Sequence, residues 1–166
     1  MAAKKKDPRV TVILNHAKLG QRIVKEDPEF PVETGPGLFT YIDLSGQDLS
    51  FANLYGVSFE EADLRGAKLR GANLAHAQLE AADLTGADLE GANLSYANLS
   101  DAVLEDANLR NANLVFAEIW NADFLNADLT GADLRHAHFA VTSFDDAQLA
   151  GAKILPRQNS RSRRSR

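Results

Sequence analysis

Residues 82–99 read ADLTGADLEGANLSYANL, and the same five-residue pattern continues on both sides of this stretch. From Leu44 to Ile154 every fifth residue is large and apolar, and these 23 positions hold 17 Leu, four Phe and two Ile. A period of five fits neither a helix nor a flat strand, so the chain must turn a corner in every repeat. The residue two places earlier is Ala in 19 of the 23 repeats, and the exceptions are Ile42, Gln47, Val57 and Thr142.

In each repeat the large residue, here called the centre, and the residue two before it are predicted to point inward. The position two after the centre holds eight of the chain's 11 glycines, which indicates a tight turn. Four short sides and four corners give about 20 residues per coil, and successive coils bond to each other at the ~4.8 Å spacing of a β-sheet. Residues 37–156 are therefore predicted to form an all-β, quadrilateral parallel β-helix of about six coils.

Three other segments flank the repeat region. Residues 1–7 have no apolar periodicity and are predicted to be disordered. Residues 8–36 carry an apolar stripe at helical spacing, which favours a helical cap over the first coil, with a short strand at Val10–Leu14 as the competing prediction. Residues 157–166, RQNSRSRRSR, are predicted to be a disordered basic tail.

The composition favours a soluble cytoplasmic protein. The chain has no cysteine, which excludes disulfides and fits a reducing compartment. Its apolar runs are too short for a signal peptide or for the ~20 residues that span a bilayer. The net charge of -5 is uneven, because residues 37–156 carry 18 acidic and six basic side chains while residues 157–166 carry five Arg and no acid.

The runs at 82–86 (ADLTG) and 92–96 (ANLSY) resemble the pentapeptide-repeat proteins, whose pattern is A(D/N)LXX. This resemblance covers residues 37–156 and implies a right-handed β-helix, with a helical cap like the one that precedes the first coil in some members. Some members resemble duplex DNA in size and charge. They bind DNA gyrase or topoisomerase IV and so protect against fluoroquinolones or inhibit the enzyme. The resemblance therefore implies a bacterial protein with such a partner.

Acidic side chains recur at 20-residue intervals, so they should stack in columns on the outside of the rod. Two interpretations compete. Short acidic side chains suit turns because they bond nearby backbone groups, whereas a surplus of acid over Lys and Arg would imitate a phosphate backbone. The candidate DNA-mimic columns contain Asp43, Asp63, Asp83, Glu105, Asp106, Asp123, Asp145 and Asp146.

Aromatic side chains form another predicted column at the corner position, and further apolar residues lie near it in sequence. Exposed apolar clusters often mark an interface. The alternative is that stacked rings only stabilise the corner, or that a terminal segment covers them. The candidate partner surface contains His76, Tyr96, Val115, Phe116, Trp120, Leu125 and His136.

The last coil has no obvious covering segment, since only Pro156 and a polar tail follow it. An open end of a β-helix exposes strand edges and apolar side chains. Either Pro156 and local turns suffice, or a second copy of the chain covers the end. The candidate dimer end contains Phe139, Phe144, Leu149 and Ile154.

No catalytic, cofactor-binding or metal-binding motif stands out, and a convex rod offers no pocket for a small-molecule substrate. The leading hypothesis is a non-catalytic protein-interaction module, a rigid acidic rod that binds a type II topoisomerase. The alternative is a structural or targeting protein held on nucleic acid or an anionic membrane surface by its basic termini, Lys4–Lys6 and Arg157–Arg166. A third hypothesis is an accessory domain of a larger enzyme.

Overall fold

A computed structural model of the chain describes Val10, Ile13 and residues 41–155. Val10 and Ile13 are both helical, and Ile13 is completely buried in the apolar core, against which Val10 packs. The rest of the predicted cap (8–36) and both segments predicted to be disordered lie outside the described residues, so these stay predictions. In the part of the chain that is described, no helix is long and apolar enough to cross a membrane.

The strands of the β-helix are one residue long, and each consists of the outward residue that precedes a centre. Each pairs in parallel with the residue 20 positions later, from Asp43 with Asp63 to the last pair at Lys153. In the first pair, Leu44 N donates to Asp63 O at 2.8 Å, and Asp63 N donates to Ile42 O at 2.9 Å. The register of 20 residues means that four five-residue units complete one coil, as the repeat predicts.

The four sides of a coil can be numbered from the first one. Side 1 contains residues 42–44, side 2 residues 47–49, side 3 residues 52–54 and side 4 residues 57–59. A two-residue turn follows each side, and every later coil adds 20 to these numbers. Residues 20 apart therefore lie above one another in columns along the rod.

The second residue of every turn has a left-handed backbone conformation. Its φ is positive from Tyr41 to Gly151, at eight glycines and 15 other residues. Except after Phe139, the next residue donates its N–H to the carbonyl of the centre, as Gln47 does to Leu44 at 3.0 Å, so these are type II turns. Left-handed geometry costs a non-glycine residue roughly 1–2 kcal/mol. The corner is therefore enforced by the lumen and the inter-coil hydrogen bonds rather than by glycine.

Gly71 is a corner where an added side chain would displace a neighbouring ring. The ring of Phe51, one coil earlier in the same column, lies over it. A Cβ at Gly71 would come within 2.7 Å of two ring carbons of Phe51, far inside van der Waals contact.

The lumen is filled by the centres and by the second inward residues. All 19 centres from Leu44 to Leu134 are buried, and the Ala residues two before them fill the remaining space. This confirms the predicted inward and outward positions, and the alternation of large and small side chains gives the close packing that protein interiors require. Centres of the last coil are less buried, and these are Phe139, Phe144, Leu149 and Ile154.

The turn after Phe139 departs from the pattern. Among the turns whose residues are all described, it alone has no backbone hydrogen bond back to its centre. Thr142 replaces the usual inward Ala there, and its Oγ1 donates to Ile119 O at 2.6 Å. A hydroxyl at an inward position needs such a partner. The neighbouring corner residue, Val141, has 78% of its surface exposed.

Candidate partner-binding surfaces

Short polar side chains at the outward strand positions cap the turns that follow them. Asp83 accepts hydrogen bonds from Thr85 N at 3.0 Å and from Thr85 Oγ1 at 2.6 Å. Asn93 accepts the equivalent bond from Ser95 N at 3.2 Å. Because Asp and Asn both make this bond, turn chemistry explains a short polar residue here but not the choice of the charged one.

The asparagines of side 3 also bond along the rod. Asn113 Nδ2 donates to Asn93 Oδ1 at 3.0 Å, and Asn93 donates to Asn73 in the same way at 3.3 Å. The ladder ends with a bond of 3.3 Å from Asn73 to Asn53. This column is therefore structural, because its amides satisfy one another between coils.

The eight predicted acidic residues all lie on side 1 or in the turn that follows it. They fall into three adjacent columns, namely the strand position and the two turn positions. The structure thus brings them together on one edge of the rod. The strand column contains Asp43, Asp63, Asp83 and Asp123, the first turn column Glu105 and Asp145, and the second turn column Asp106 and Asp146.

Charge is divided between two halves of the rod. The acidic half, defined as sides 4 and 1 with their turns, carries 13 Asp or Glu and a single Arg within residues 41–155. The neutral half, defined as sides 2 and 3 with their turns, carries five acidic and five basic residues. The net charge of -12 on residues 41–155 therefore belongs entirely to the acidic half. The sequence predicts the columns but this division was not predicted from it, although the sum of the charges in each column reveals it.

Most ion pairs of the described residues lie in the neutral half, where they balance the charges of both signs. The guanidinium of Arg135 donates to Asp133 and holds the pKa of that carboxyl below its usual range. In the acidic half, Arg65 Nε donates to Asp63 Oδ1 at 2.8 Å and lies 3.7 Å from Asp83. The neutral half contains four pairs, Arg70–Glu90 at 2.8 Å, Arg110–Asp128 at 3.0 Å, Arg135–Asp133 at 2.7 Å and Lys153–Asp133 at 4.0 Å.

Four side chains in the turn after side 3 stack as an aromatic ladder, defined as His76, Tyr96, Phe116 and His136. Their ring centroids are 4.9, 5.0 and 4.8 Å apart, with interplanar angles of 2°, 15° and 14°. Tyr55 adds a tilted ring 5.2 Å from His76. The ring faces cover one another, so the ladder presents ring edges to solvent. Stacked pairs contribute about 0.5–1.5 kcal/mol each beyond the area they bury.

An open groove of about 620 Å³ runs along side 3 beside the ladder. Tyr96, Phe116 and Val115 line one wall, and Asn111 and Gly131 line the other. The groove thus has an aromatic wall, and its C-terminal end contains the cations Arg135 and Lys153.

Two members of the candidate partner surface lie apart from the ladder. Trp120 is in the turn after side 4, and Leu125 is in the turn after side 1. Trp120 is 49% exposed and Leu125 is half-buried. The structure therefore groups Val115 with the ladder and places Trp120 and Leu125 in the acidic half.

The histidines are spread over the rod. His76 and His136 are the two ends of the ladder. His138 lies on side 4, where its backbone forms a parallel β-bridge with Glu118. Within residues 41–155, no group of three His, Asp or Glu side chains could hold a metal ion.

A sequence profile described as "Pentapeptide repeats" matches the chain in eight copies, over residues 38–74, 72–111, 87–124 and 122–154. The chain belongs to the pentapeptide-repeat family. Proteins of this family fold as right-handed β-helices, and in general they are structural or interaction modules rather than enzymes. A comparison with curated proteins finds no match.

Several solved pentapeptide-repeat structures are similar to this chain. One from the Arabidopsis thaliana thylakoid lumen is 40% identical, with a TM-score of 0.59 over 63% of this chain and 73% of its own. Rfr23 of the cyanobacterium Cyanothece 51142 is 28% identical, with a TM-score of 0.49 over 68% and 87% of the two chains. QnrB1, a plasmid-mediated fluoroquinolone resistance protein, is 17% identical, with a TM-score of 0.47 over 82% and 90%.

The C-terminal end of this pentapeptide-repeat rod is partly exposed. Phe144 stacks on Phe124 of the coil before it, with centroids 5.1 Å apart, and meets Phe139 edge-on at 6.3 Å. Leu149 and Ile154 remain 37% and 39% exposed. The four residues of the candidate dimer end are therefore centres of the last coil that are less covered than the centres before them.

We expect the aromatic ladder to stabilise the pentapeptide-repeat fold by direct stacking. In a double-mutant cycle, Tyr96→Ala and Phe116→Ala should show a coupling energy of about 0.5–1.5 kcal/mol in urea unfolding. Alanine is accommodated at such a corner, since Ala81 has a φ of 54°. As a control, Tyr96→Ala and Asn126→Ala lie in different columns and should be additive within about 0.5 kcal/mol. Additivity in the ladder pair would contradict a structural role.

Proposed function

We propose that this chain is a non-catalytic protein-interaction module whose acidic half imitates the charge of duplex DNA. The proposed partner is a type II topoisomerase of the bacterial cytoplasm, DNA gyrase or topoisomerase IV, as the family resemblance implies. The observation that carries the proposal is the division of charge, with 13 acidic side chains and one Arg on one half and five of each sign on the other. A DNA-binding surface is cationic and attracts the acidic half.

The charge density of the acidic half is close to that of DNA. Duplex DNA carries one negative charge per about 1.7 Å of helix axis. With a coil rise of about 4.8 Å, residues 41–155 extend over roughly 28 Å. Their net charge of -12 then corresponds to one negative charge per about 2.3 Å. A protein surface that binds DNA phosphates would meet a similar density of carboxylates here.

The rigidity of the rod supports the same function. Inter-coil hydrogen bonds hold the backbone beneath each acidic column, as between Asp83 N and Ala62 O at 3.0 Å. Charges fixed on a rigid scaffold lose little conformational entropy on binding, so more of the electrostatic attraction appears as affinity. The acidic half would itself repel nucleic acid, which favours a protein partner over DNA.

The test is to add the purified full-length chain to DNA gyrase supercoiling and topoisomerase IV decatenation assays, with and without a fluoroquinolone. We expect inhibition or protection at micromolar concentrations, competition with DNA for the enzyme, and binding that weakens as salt rises. No effect on either enzyme at micromolar concentrations would remove the topoisomerase as partner.

The same preparation tests the alternative that basic termini hold the rod on another anionic surface. In that case the chain itself would bind duplex DNA or anionic vesicles. The binding would be salt-sensitive and would disappear on deletion of residues 157–166. Such binding without any effect on a topoisomerase would favour the targeting role.

We also propose that a second copy of the chain covers the C-terminal end. Ile154→Arg should leave the 18.0 kDa monomer as the main species in light scattering, whereas the wild type should dimerise as concentration rises. Ser50→Arg is the matched control, because its column already holds Arg70 and Arg110. A monomeric wild type at high concentration would contradict the dimer.

A further inference from the structure

Most exposed aromatic side chains of the rod have an intramolecular contact. Tyr41 donates its hydroxyl to Glu61 at 3.1 Å, and Phe51 lies over the bare backbone of Gly71. The rings of Tyr55, Tyr96 and Phe116 belong to the ladder and its extension. Each of these rings therefore has a contact within the rod itself.

Trp120 is different. Its side chain is 49% exposed, no described ring stacks against it, and its indole N–H donates to no described acceptor. Its column neighbours one coil away are the small residues Ser100 and Ala140, so no large side chain lies above or below Trp120 in its column. Tryptophan is enriched at protein interfaces, because its ring is large and apolar while its N–H can still donate a hydrogen bond.

Two acidic residues lie next to Trp120, one in the coil before it and one on its own side. Asp101 N donates to Trp120 O at 2.9 Å, which places this acidic corner directly beside the tryptophan. Glu118 is exposed on the same side, two residues earlier. Trp120 is therefore an apolar projection within the acidic half, and the described cations nearest in sequence, Arg110 and Arg135, belong to the neutral half.

We propose that Trp120 is the anchor by which the acidic half recognises its protein partner, a cationic surface that contains an apolar pocket. This inference rests on the proposed function. Exposed ion pairs contribute little affinity individually, with a median of about 0–1 kcal/mol, and they act mainly on the association rate. Residues that dominate binding are enriched in tryptophan seated in a desolvated pocket and surrounded by weaker contacts. The carboxylates steer the rod, and Trp120 sets how long the complex lasts.

The experiment measures binding of the full-length chain to immobilised DNA gyrase holoenzyme at several salt concentrations. Trp120→Ala should weaken binding about 30-fold, as expected for a dominant interface residue, and mainly by raising koff. The slope of affinity against salt should stay unchanged, since no charge is lost. Trp120→Phe should lose less affinity. Phe51→Ala is the matched control, an exposed aromatic of the neutral half, and should bind within about twofold of the wild type.

Trp120 is the chain's one tryptophan, so a 5-fluorotryptophan label gives a single ¹⁹F signal from this site. That signal should shift on addition of gyrase. Because the label is carried by Trp120 itself, the measurement does not depend on the stability of Trp120→Ala. Salt-sensitive gyrase binding that is equal for the wild type and Trp120→Ala, or an unshifted ¹⁹F signal, overturns the anchor but leaves the proposed function intact. If the wild type binds neither gyrase nor topoisomerase IV, the anchor and the topoisomerase proposal both fall.

Discussion

Replacing Leu94 by Ala is expected to lower the free energy of unfolding by about 2–5 kcal/mol. Leu94 is a mid-rod centre with none of its surface exposed. The backbone around Leu94 cannot move inward to fill the cavity, because inter-coil hydrogen bonds hold it in place. Leu94 N donates to Asn113 O at 2.7 Å, and Asn113 N donates to Ala92 O at 2.9 Å. The loss therefore includes both the transfer free energy of the deleted atoms and most of the resulting cavity.

Urea unfolding followed by circular dichroism measures this change. The matched control is Ser95→Ala, one residue later, where the side chain lies in the turn outside the lumen. That variant should stay within about 0.5 kcal/mol of the wild type. A loss below about 1 kcal/mol for Leu94→Ala would mean that the lumen collapses around the gap, and the rod would then be far less rigid than its hydrogen bonding indicates.

The second large effect concerns the acidic half. Four amide substitutions there should slow association with the proposed partner, gyrase, at low salt by about tenfold to a hundredfold, because steering depends on the summed field. They should also reduce the slope of affinity against salt by about one unit for each charge removed. The turn geometry should survive, because Asn126 already occupies the corner column of Asp106 and Asp146 and has a φ of 58°. The variant combines Glu105→Gln, Asp106→Asn, Asp145→Asn and Asp146→Asn.

A control variant with the same change in net charge, made in the neutral half, distinguishes an effect of the acidic half from an effect of total charge. Asn already occupies the strand positions of sides 2 and 3, at Asn108 and Asn113, so amides are accommodated there. Association of this control should stay within about threefold of the wild type. Equal loss in both variants would show that only total charge matters, and it would contradict the proposed acidic face. The control combines Asp48→Asn, Asp88→Asn, Asp128→Asn and Asp133→Asn.

The repeat alone determined the inside of this protein. A large residue such as Leu94 at every fifth position can be buried only if the chain turns at every repeat, and type II turns close a coil after four. The glycines located the corner, but they did not reveal that residues as large as Phe116 adopt a φ of 61° there. That conformation is enforced by contacts between coils, which local propensity does not contain.

The tertiary structure decided how the outside is divided. Trp120 and Leu125 lie close to Phe116 in sequence, yet the corners between them turn each onto another part of the rod. Conversely, Asp43 and Asp123 are 80 residues apart and share one column. Surface neighbours are set by the closure of each coil and not by distance along the chain. The concentration of charge on one half, and the position of the tryptophan within it, therefore follow from which residues the coils place in the same column.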